Sequence, residues 1–195
     1  LLDAHHIIVT TAKIHAVPIS EWIVAMMLAL AKNLKRHAER QKAHIYHDEE
    51  RLPSLILEGK TALIIGAGHV GAETGRKLKL AFHMTTLGVN SDGRPLEYFD
   101  ETHTLEALDA LLPRADFVIC TSVLVEATRG LIDARRLALM KPTAYLLNPS
   151  RGGLIVERDL VEALRTRRIA GAGLDAFEVE PLPADSPLWD LDNVL

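Results

Sequence analysis

From residue 60 onward, short apolar runs alternate with stretches whose apolar positions recur every three to four residues. The runs at 61–65, 84–89, 117–121, 143–147 and 169–174 are rich in Ile, Leu and Val and read as five strands buried on both faces. Between them, residues 70–81, 105–112, 134–140 and 156–168 read as helices, the second and third stopped at Pro113 and Pro142. The last of these carries Val156, Leu160, Val161 and Leu164 at helical spacing. Strands alternating with helices across short connections predict an α/β fold, a Rossmann-type doubly wound parallel sheet with flanking helices.

Before residue 60 the pattern changes. Residues 22–41 read as one long N-terminal helix, with Ser20 as its cap and Glu21 at the positive end of its dipole. Its first half is apolar all round, which predicts burial on more than one side. One side can pack on this domain. The other requires a second domain or a second copy of the chain.

At 195 residues there is room for one domain with short arms, expected at 1–20 and 182–195. The chain is 48% hydrophobic and 25% charged, an ordinary balance for a full core. A net charge of −4 argues against nucleic acid as a partner, since phosphate binding requires basic patches. The single cysteine, Cys120, excludes an internal disulfide and a four-thiolate zinc site, and ends an apolar run as a buried hydrophobe would. The longest apolar run, 22–31, is half the ~20 residues that a bilayer span needs. The amino end shows no basic segment followed by an apolar one. A cytoplasmic protein without membrane contact is expected. The chain starts with Leu1, Leu2 and Asp3 rather than Met, which suggests an excerpt of a longer protein.

The first run of chemical interest is Gly66-Ala67-Gly68-His69-Val70-Gly71, directly after a predicted strand and opening a predicted helix. In that context the G-x-G-x-x-G pattern reads as a dinucleotide pyrophosphate site. Gly66 permits the turn, Gly68 lets backbone approach the phosphates, and Gly71 lets the helix lie close to the strand. The amides of His69 and Val70 then face the anion, and the helix dipole favours it. Asn90 stands at the end of the second strand, where an acidic residue would select NAD over NADP. Asn90 does not repel a 2′-phosphate. Ser91 and Arg94 can hold one, while Asp92 opposes it, so NAD and NADP both stay open with a lean to NADP.

The second run follows the fourth and fifth strands. Arg151 offers parallel donors that match a carboxylate, so it can hold a 2-keto acid and polarise its keto oxygen. Asp175 can accept from a nicotinamide carboxamide, and Glu180 follows in a Glu-Pro step. Thr121, Ser122 and Val123 after the third strand, with Asn148 and Ser150 after the fourth, complete the candidate cofactor contacts.

In these stretches, together with Ile19-Ser20-Glu21-Trp22, Leu57-Glu58-Gly59-Lys60, Thr128-Arg129-Gly130-Leu131-Ile132, Leu139-Met140-Lys141-Pro142, Glu180-Pro181-Leu182-Pro183 and Pro187-Leu188-Trp189, the chain resembles the D-isomer-specific 2-hydroxyacid dehydrogenases. The resemblance runs in order along nearly the whole chain and implies an NAD(P)-binding domain of a two-domain enzyme. It implies that Arg151 holds the substrate carboxylate, that Asp175 lies beside the nicotinamide, and that Glu180 pairs with a catalytic His. A nearby carboxylate stabilises the imidazolium, which can then protonate the keto oxygen. In the family that His follows a Thr-Pro pair that would fall just beyond Leu195, and the substrate domain is built largely from residues preceding these. The chain departs from many relatives at Val123 and Val125, where Pro and Thr are usual. The resemblance also implies a homodimer through the 20–41 helix, with Trp22, Met26, Met27 and Leu30 as candidates for the buried surface.

Nine histidines raise the question of a metal. His44 and His47 lie beside Asp48, Glu49 and Glu50, yet the zincin pattern is missing and the stretch reads as a solvated helix end, so no metal is expected. A short-chain dehydrogenase requires Tyr-x-x-x-Lys. Tyr46, Tyr98 and Tyr145 are followed four residues on by Glu50, Thr102 and Pro149, which excludes it. A nucleotide-sensing binding protein on the same fold stays in play beside the enzyme.

Overall fold

The computed structural model describes residues 14–46 and 54–195. Six strands, β1 (Thr61–Ile65), β2 (Thr85–Val89), β3 (Glu101–His103), β4 (Phe117–Cys120), β5 (Tyr145–Asn148) and β6 (Gly171–Leu174), form one sheet in the order β3-β2-β1-β4-β5-β6. Every pairing is parallel. The order reverses between β1 and β4, the switch point of a doubly wound Rossmann sheet. The flanking helices are α1 (Ala16–Ala31), α2 (Leu34–Lys42), α3 (His69–Phe82), α4 (Leu108–Leu111), α5 (Ala134–Leu137) and α6 (Glu157–Arg165).

Successive strand residues point to opposite faces, and both faces are covered. Leu63, Ile65, Val118, Cys120 and Leu146 pack with Leu108, Leu111, Leu137, Leu160 and Leu164 from α4, α5 and α6. Ala62, Ile64, Phe117, Ile119 and Leu147 pack on the other side with Ile23, Met27 and Ala31 of α1 and Leu78 of α3. Two buried faces are the reason these strands read as unbroken apolar runs.

Where the molecule departs from the pattern reading, tertiary contacts are the cause. β3 is a sixth strand that the pattern does not show. It is three residues, Glu101, Thr102 and His103, none fully buried, at the sheet edge, so no apolar run marks it. The single helix expected over 22–41 is two helices bent by 63° at Asn33, whose φ of 52° is left-handed. The returning chain takes the place of the next helical turn. The Leu55 amide donates to the Ala31 carbonyl at 2.9 Å, and Lys32 Nζ donates to the Leu55 carbonyl at 2.8 Å. Ser20 is not a cap, because α1 already begins at Ala16. Its buried hydroxyl donates to the Val17 carbonyl at 2.8 Å and accepts from Lys77 Nζ at 2.7 Å, which ties α1 to α3.

Met27 and Leu30 are also buried inside the domain, and Met26 lies against Gly173 of β6. These side chains are consumed by the domain's own packing and offer little to a partner. The outward side of α1 presents Val17, Pro18, Glu21 and Ala25.

The last residues dock on the sheet. Val194 pairs in parallel with Ala172, the Leu195 amide donates to the Ala172 carbonyl at 3.0 Å, and Leu188 and Val194 are buried. Residues 1–13, and His47, Asp48, Glu49 and Glu50 of the histidine-acid stretch, lie outside the described residues. Among the described residues no single helix is long and apolar enough to cross a membrane.

Candidate functional site

All strands of a parallel sheet end on one edge, so the loops after β1, β2, β4, β5 and β6 share one rim beside the switch point. β1 runs into Gly66, whose φ of +94° suits glycine and where a Cβ would overlap the backbone of Ser122. The amides of Gly66 and Ala67 both donate to the Val89 carbonyl, at 2.9 and 2.8 Å, which ties the turn to β2. α3 then starts at His69 with Gly68 as its N-cap, and the first helical bond is Ala72 N–H to the Gly68 carbonyl at 2.7 Å. The amides of His69 and Val70 precede that bond and have no backbone acceptor among the described residues. A Cβ on Gly68 would meet nothing within 4 Å, whereas one on Gly71 would come within 2.7 Å of the Gly66 carbonyl. Open space in front of unpaired amides at a positive helix end fits a pyrophosphate.

The loop after β2 is closed by Asn90. Its Oδ1 accepts from the amides of Gly93 at 2.5 Å and Asp92 at 3.3 Å, and its Nδ2 donates to the Arg94 carbonyl at 3.0 Å. Asn90 thus shapes the loop with the side chain that the pattern assigns to a ribose. Ser91 and Arg94 are exposed there, Arg94 4.0 Å from the Asp92 carboxylate.

The loops after β4, β5 and β6 are stitched into one surface. Thr121 Oγ1 donates to the Gly66 carbonyl at 2.9 Å, and Ser150 Oγ donates to the Ser122 carbonyl at 2.8 Å. Asn148 is fully buried. Its Nδ2 donates to the Arg151 carbonyl at 3.0 Å, its Oδ1 accepts from the Ser150 amide at 3.2 Å, and its carbonyl accepts from the Asp175 amide at 3.0 Å. Thr121, Asn148 and Ser150 therefore spend their side chains on backbone and build the rim. Val123 stands exposed on it. The pattern misses Thr128, whose hydroxyl accepts from the Val125 amide at 2.9 Å and donates to the Val123 carbonyl at 2.7 Å. A Thr just before Arg129-Gly130 is the only trace of that role in the sequence.

Arg151 is exposed, with Nη1 donating to the Ser150 carbonyl at 2.7 Å, and it pairs with no carboxylate among the described residues. The next residue, Gly152, lies so close to Phe177 that a Cβ would overlap the Phe177 backbone. That contact sets the Arg151 loop against the loop carrying Asp175 and Glu180. Asp175 is exposed, and Glu180 Oε1 accepts from the Phe177 amide at 3.1 Å, leaving its other oxygen open. Cys120, beneath the rim at the end of β4, is not a nucleophile, because burial pushes its thiol up to about 12. A separate cavity of about 270 Å³ lined by Asn33, Lys35, Tyr145 and Asn193 lies at the opposite end of β5, away from these groups.

The glycine turn after β1 and the loops carrying Arg151, Asp175 and Glu180 thus stand on one rim of the sheet. Residues 24–195 match the family model for "D-isomer specific 2-hydroxyacid dehydrogenase, NAD binding domain". Glyoxylate/hydroxypyruvate reductase B of Pectobacterium carotovorum is 36% identical over 91% of this chain and 56% of its own length. A D-isomer specific 2-hydroxyacid dehydrogenase family protein of Aeromonas salmonicida superposes with a TM-score of 0.84 at 38% identity, over 92% of this chain and 57% of its own. The NADPH-dependent glyoxylate/hydroxypyruvate reductase of Sinorhizobium meliloti, solved with NADP and sulfate, superposes with a TM-score of 0.84 at 30% identity, over 95% and 58%. The chain spans 60%, 36% and 56% of three curated relatives it matches. With its glycine cradle after β1 and its Arg151 loop after β5, the chain belongs to the D-isomer specific 2-hydroxyacid dehydrogenase family, as the NAD binding domain.

Proposed function

We propose that this domain serves an NAD(P)-dependent D-2-hydroxyacid dehydrogenase working as a reductase of small 2-keto acids, in a protein that also carries a substrate domain. The observation that carries the reading is Arg151, a guanidinium without a carboxylate partner among the described residues, on a loop that Gly152 sets against the loop of Asp175 and Glu180. Arg151 holds the substrate carboxylate and draws charge toward the keto oxygen. Asp175 orients the nicotinamide amide, and the amides of His69 and Val70 hold the pyrophosphate. The bound nicotinamide supplies the hydride. Glu180 supports the imidazolium of a His beyond Leu195, which delivers a proton to the keto oxygen. Glyoxylate and hydroxypyruvate are the first substrates to try, by likeness to the reductases of Pectobacterium and Sinorhizobium. Ser91 and Arg94, exposed on the loop after β2, favour NADP over NAD.

The same reading includes a twofold dimer through α1, using its outward side with Val17 and Ala25. It also includes a cytoplasmic setting, which suits a chain with one buried thiol.

The test is oxidation of NADH and of NADPH by the full-length protein, followed by the loss of reduced-nicotinamide absorbance, against glyoxylate, hydroxypyruvate, pyruvate and a branched keto acid. Turnover with any of them supports the reading. Binding of reduced cofactor with turnover of none overturns it in favour of a nucleotide-sensing protein.

A further inference from the structure

The loop that carries Glu180 is fixed at a second place besides Gly152. Glu178 Oε1 accepts from the Glu157 amide at 3.2 Å, and Glu157 Oε2 accepts from the Glu178 amide at 3.1 Å. Each glutamate thus binds the other's backbone, across 21 residues of sequence. Glu157 is the first residue of α6, so its amide belongs to the set that a helix leaves without internal acceptors. Two carboxylates of like sign do not attract each other. What holds them together is the pair of backbone donors and the positive end of α6.

The two fixings have different locations. Gly152 meets the loop at Phe177, whose amide also donates to Glu180 Oε1. The glutamate clasp holds the next residue, Glu178, on the side of α6. Val179 and Glu180 follow it, both exposed. With only the Phe177 contact, the exposed segment can pivot about one point. With both, the path of the backbone into Glu180 is set from two directions.

We infer that Glu157 and Glu178 are positioning residues, a reciprocal clasp between α6 and the loop after β6 that aims Glu180. The inference rests on the role proposed for Glu180. Neither glutamate touches the reacting atoms; both act through the loop. The clasp also accounts for a Glu at 178 that the pyrophosphate cradle, the carboxylate clamp and the acid partner leave without work.

The experiment uses the full-length protein with Glu178→Ala, Glu178→Gln, Glu157→Ala and the double alanine variant. Glu178→Ala is expected to lower kcat with keto acid by roughly 10–100-fold, as expected for a displaced catalytic group, with KM for NAD(P)H nearly unchanged. Glu178→Gln keeps an oxygen acceptor for the Glu157 amide and is expected to restore most of kcat. The double variant should lose no more than the worse single one, since both break one clasp. Hydrogen–deuterium exchange gives a readout that does not need turnover: the Glu157 and Glu178 amides should lose protection in Glu178→Ala and Glu157→Ala respectively. Wild-type kcat in Glu178→Ala, or unchanged protection at both amides, overturns the clasp. If the wild-type protein reduces no keto acid, the reading of Glu180 fails, and exchange alone decides whether the clasp exists.

Discussion

Between Gly66 and Gly71 the proposed binding surface is backbone, with amides of His69 and Val70 that have no backbone acceptor among the described residues and face space that Gly68 leaves open. Between Arg151 and Glu180 it is side chain, with one guanidinium and two carboxylates on loops that meet at Gly152 and Phe177. The glycines of the two halves consequently do different work. Gly68 keeps room for the proposed ligand, since a Cβ there would meet nothing within 4 Å among the described residues. Gly152 keeps room for another loop of the same chain. A substitution at the first should spare the fold and harm binding, whereas one at the second should harm both the fold and the geometry of the acid half. A phosphate needs donors and space, which backbone supplies. A carboxylate and a proton need charges at set places, which only packed loops supply.

The strongest test of that contrast is Gly152→Ala. Overpacking against the Phe177 backbone should cost about 1–3 kcal/mol, seen as a fall of several degrees in Tm, with most keto-acid turnover lost. A variant as stable and active as wild type would show that the two loops are not locked together. Next comes Arg151→Ala. Losing charge-assisted hydrogen bonds worth about 1.5–3 kcal/mol each should lower kcat/KM for keto acid by roughly 10²-fold. Cofactor affinity and Tm should stay put, and steady-state kinetics beside cofactor titration separates the two halves.

Gly68→Val should do the reverse. A Cβ there meets nothing within 4 Å among the described residues, so Tm should hold while NAD(P)H affinity drops by roughly 10–100-fold, read by fluorescence titration. A loss of Tm equal to that of Gly152→Ala would erase the distinction.

The smallest effect concerns the outer support of the nucleotide half. The His103 carbonyl on β3 accepts from the Asn90 amide at 3.0 Å, and β3 is tied down by Glu101, which Arg114 grips at 2.5 and 2.9 Å. The Arg114 guanidinium and then His103 hold the Glu101 carboxyl down at about 2, against an ordinary 4.5. A depressed carboxylate stabilises the fold above the higher value and loses that contribution as pH falls from about 4.5 through about 2. Both partners are about two-fifths exposed, so screening keeps the contribution below about 1 kcal/mol. Arg114→Ala should therefore lower Tm slightly at neutral pH and by much less near pH 2, where about half of the Glu101 carboxylate is already protonated, a difference that calorimetry at the two pH values resolves.

The strands of the double-buried centre were legible because each must bury both faces, which leaves a run of Leu, Ile and Val and little else. β3 was not, since an edge strand of three polar residues buries too little to mark the sequence. The bend at Asn33 was equally hidden. It depends on residues 54–55 returning to the end of α1, a contact that no local pattern encodes. The glycine cradle was legible because part of its need for glycine is local, in the left-handed φ of Gly66 and the approach of Gly71 to the Gly66 carbonyl, while the close backbone of Ser122 adds a tertiary reason. Asn90 directly follows β2, and its side chain turns to its own loop, a choice made by the amides of Asp92 and Gly93.

By itself the sequence determined the alternation of strand and helix, the doubly wound parallel sheet, and the rim on which Gly66, Arg151, Asp175 and Glu180 stand. These follow from hydrophobic period and from chain direction, which are properties of neighbours along the chain. Only the tertiary structure decided that Met27 and Leu30 serve the domain's own core, that Asn148 and Ser150 build the rim, and that Gly152 and the Glu157–Glu178 pair hold the acid loop. Those outcomes depend on atoms brought together from distant parts of the chain, where space and hydrogen-bond partners are settled by packing.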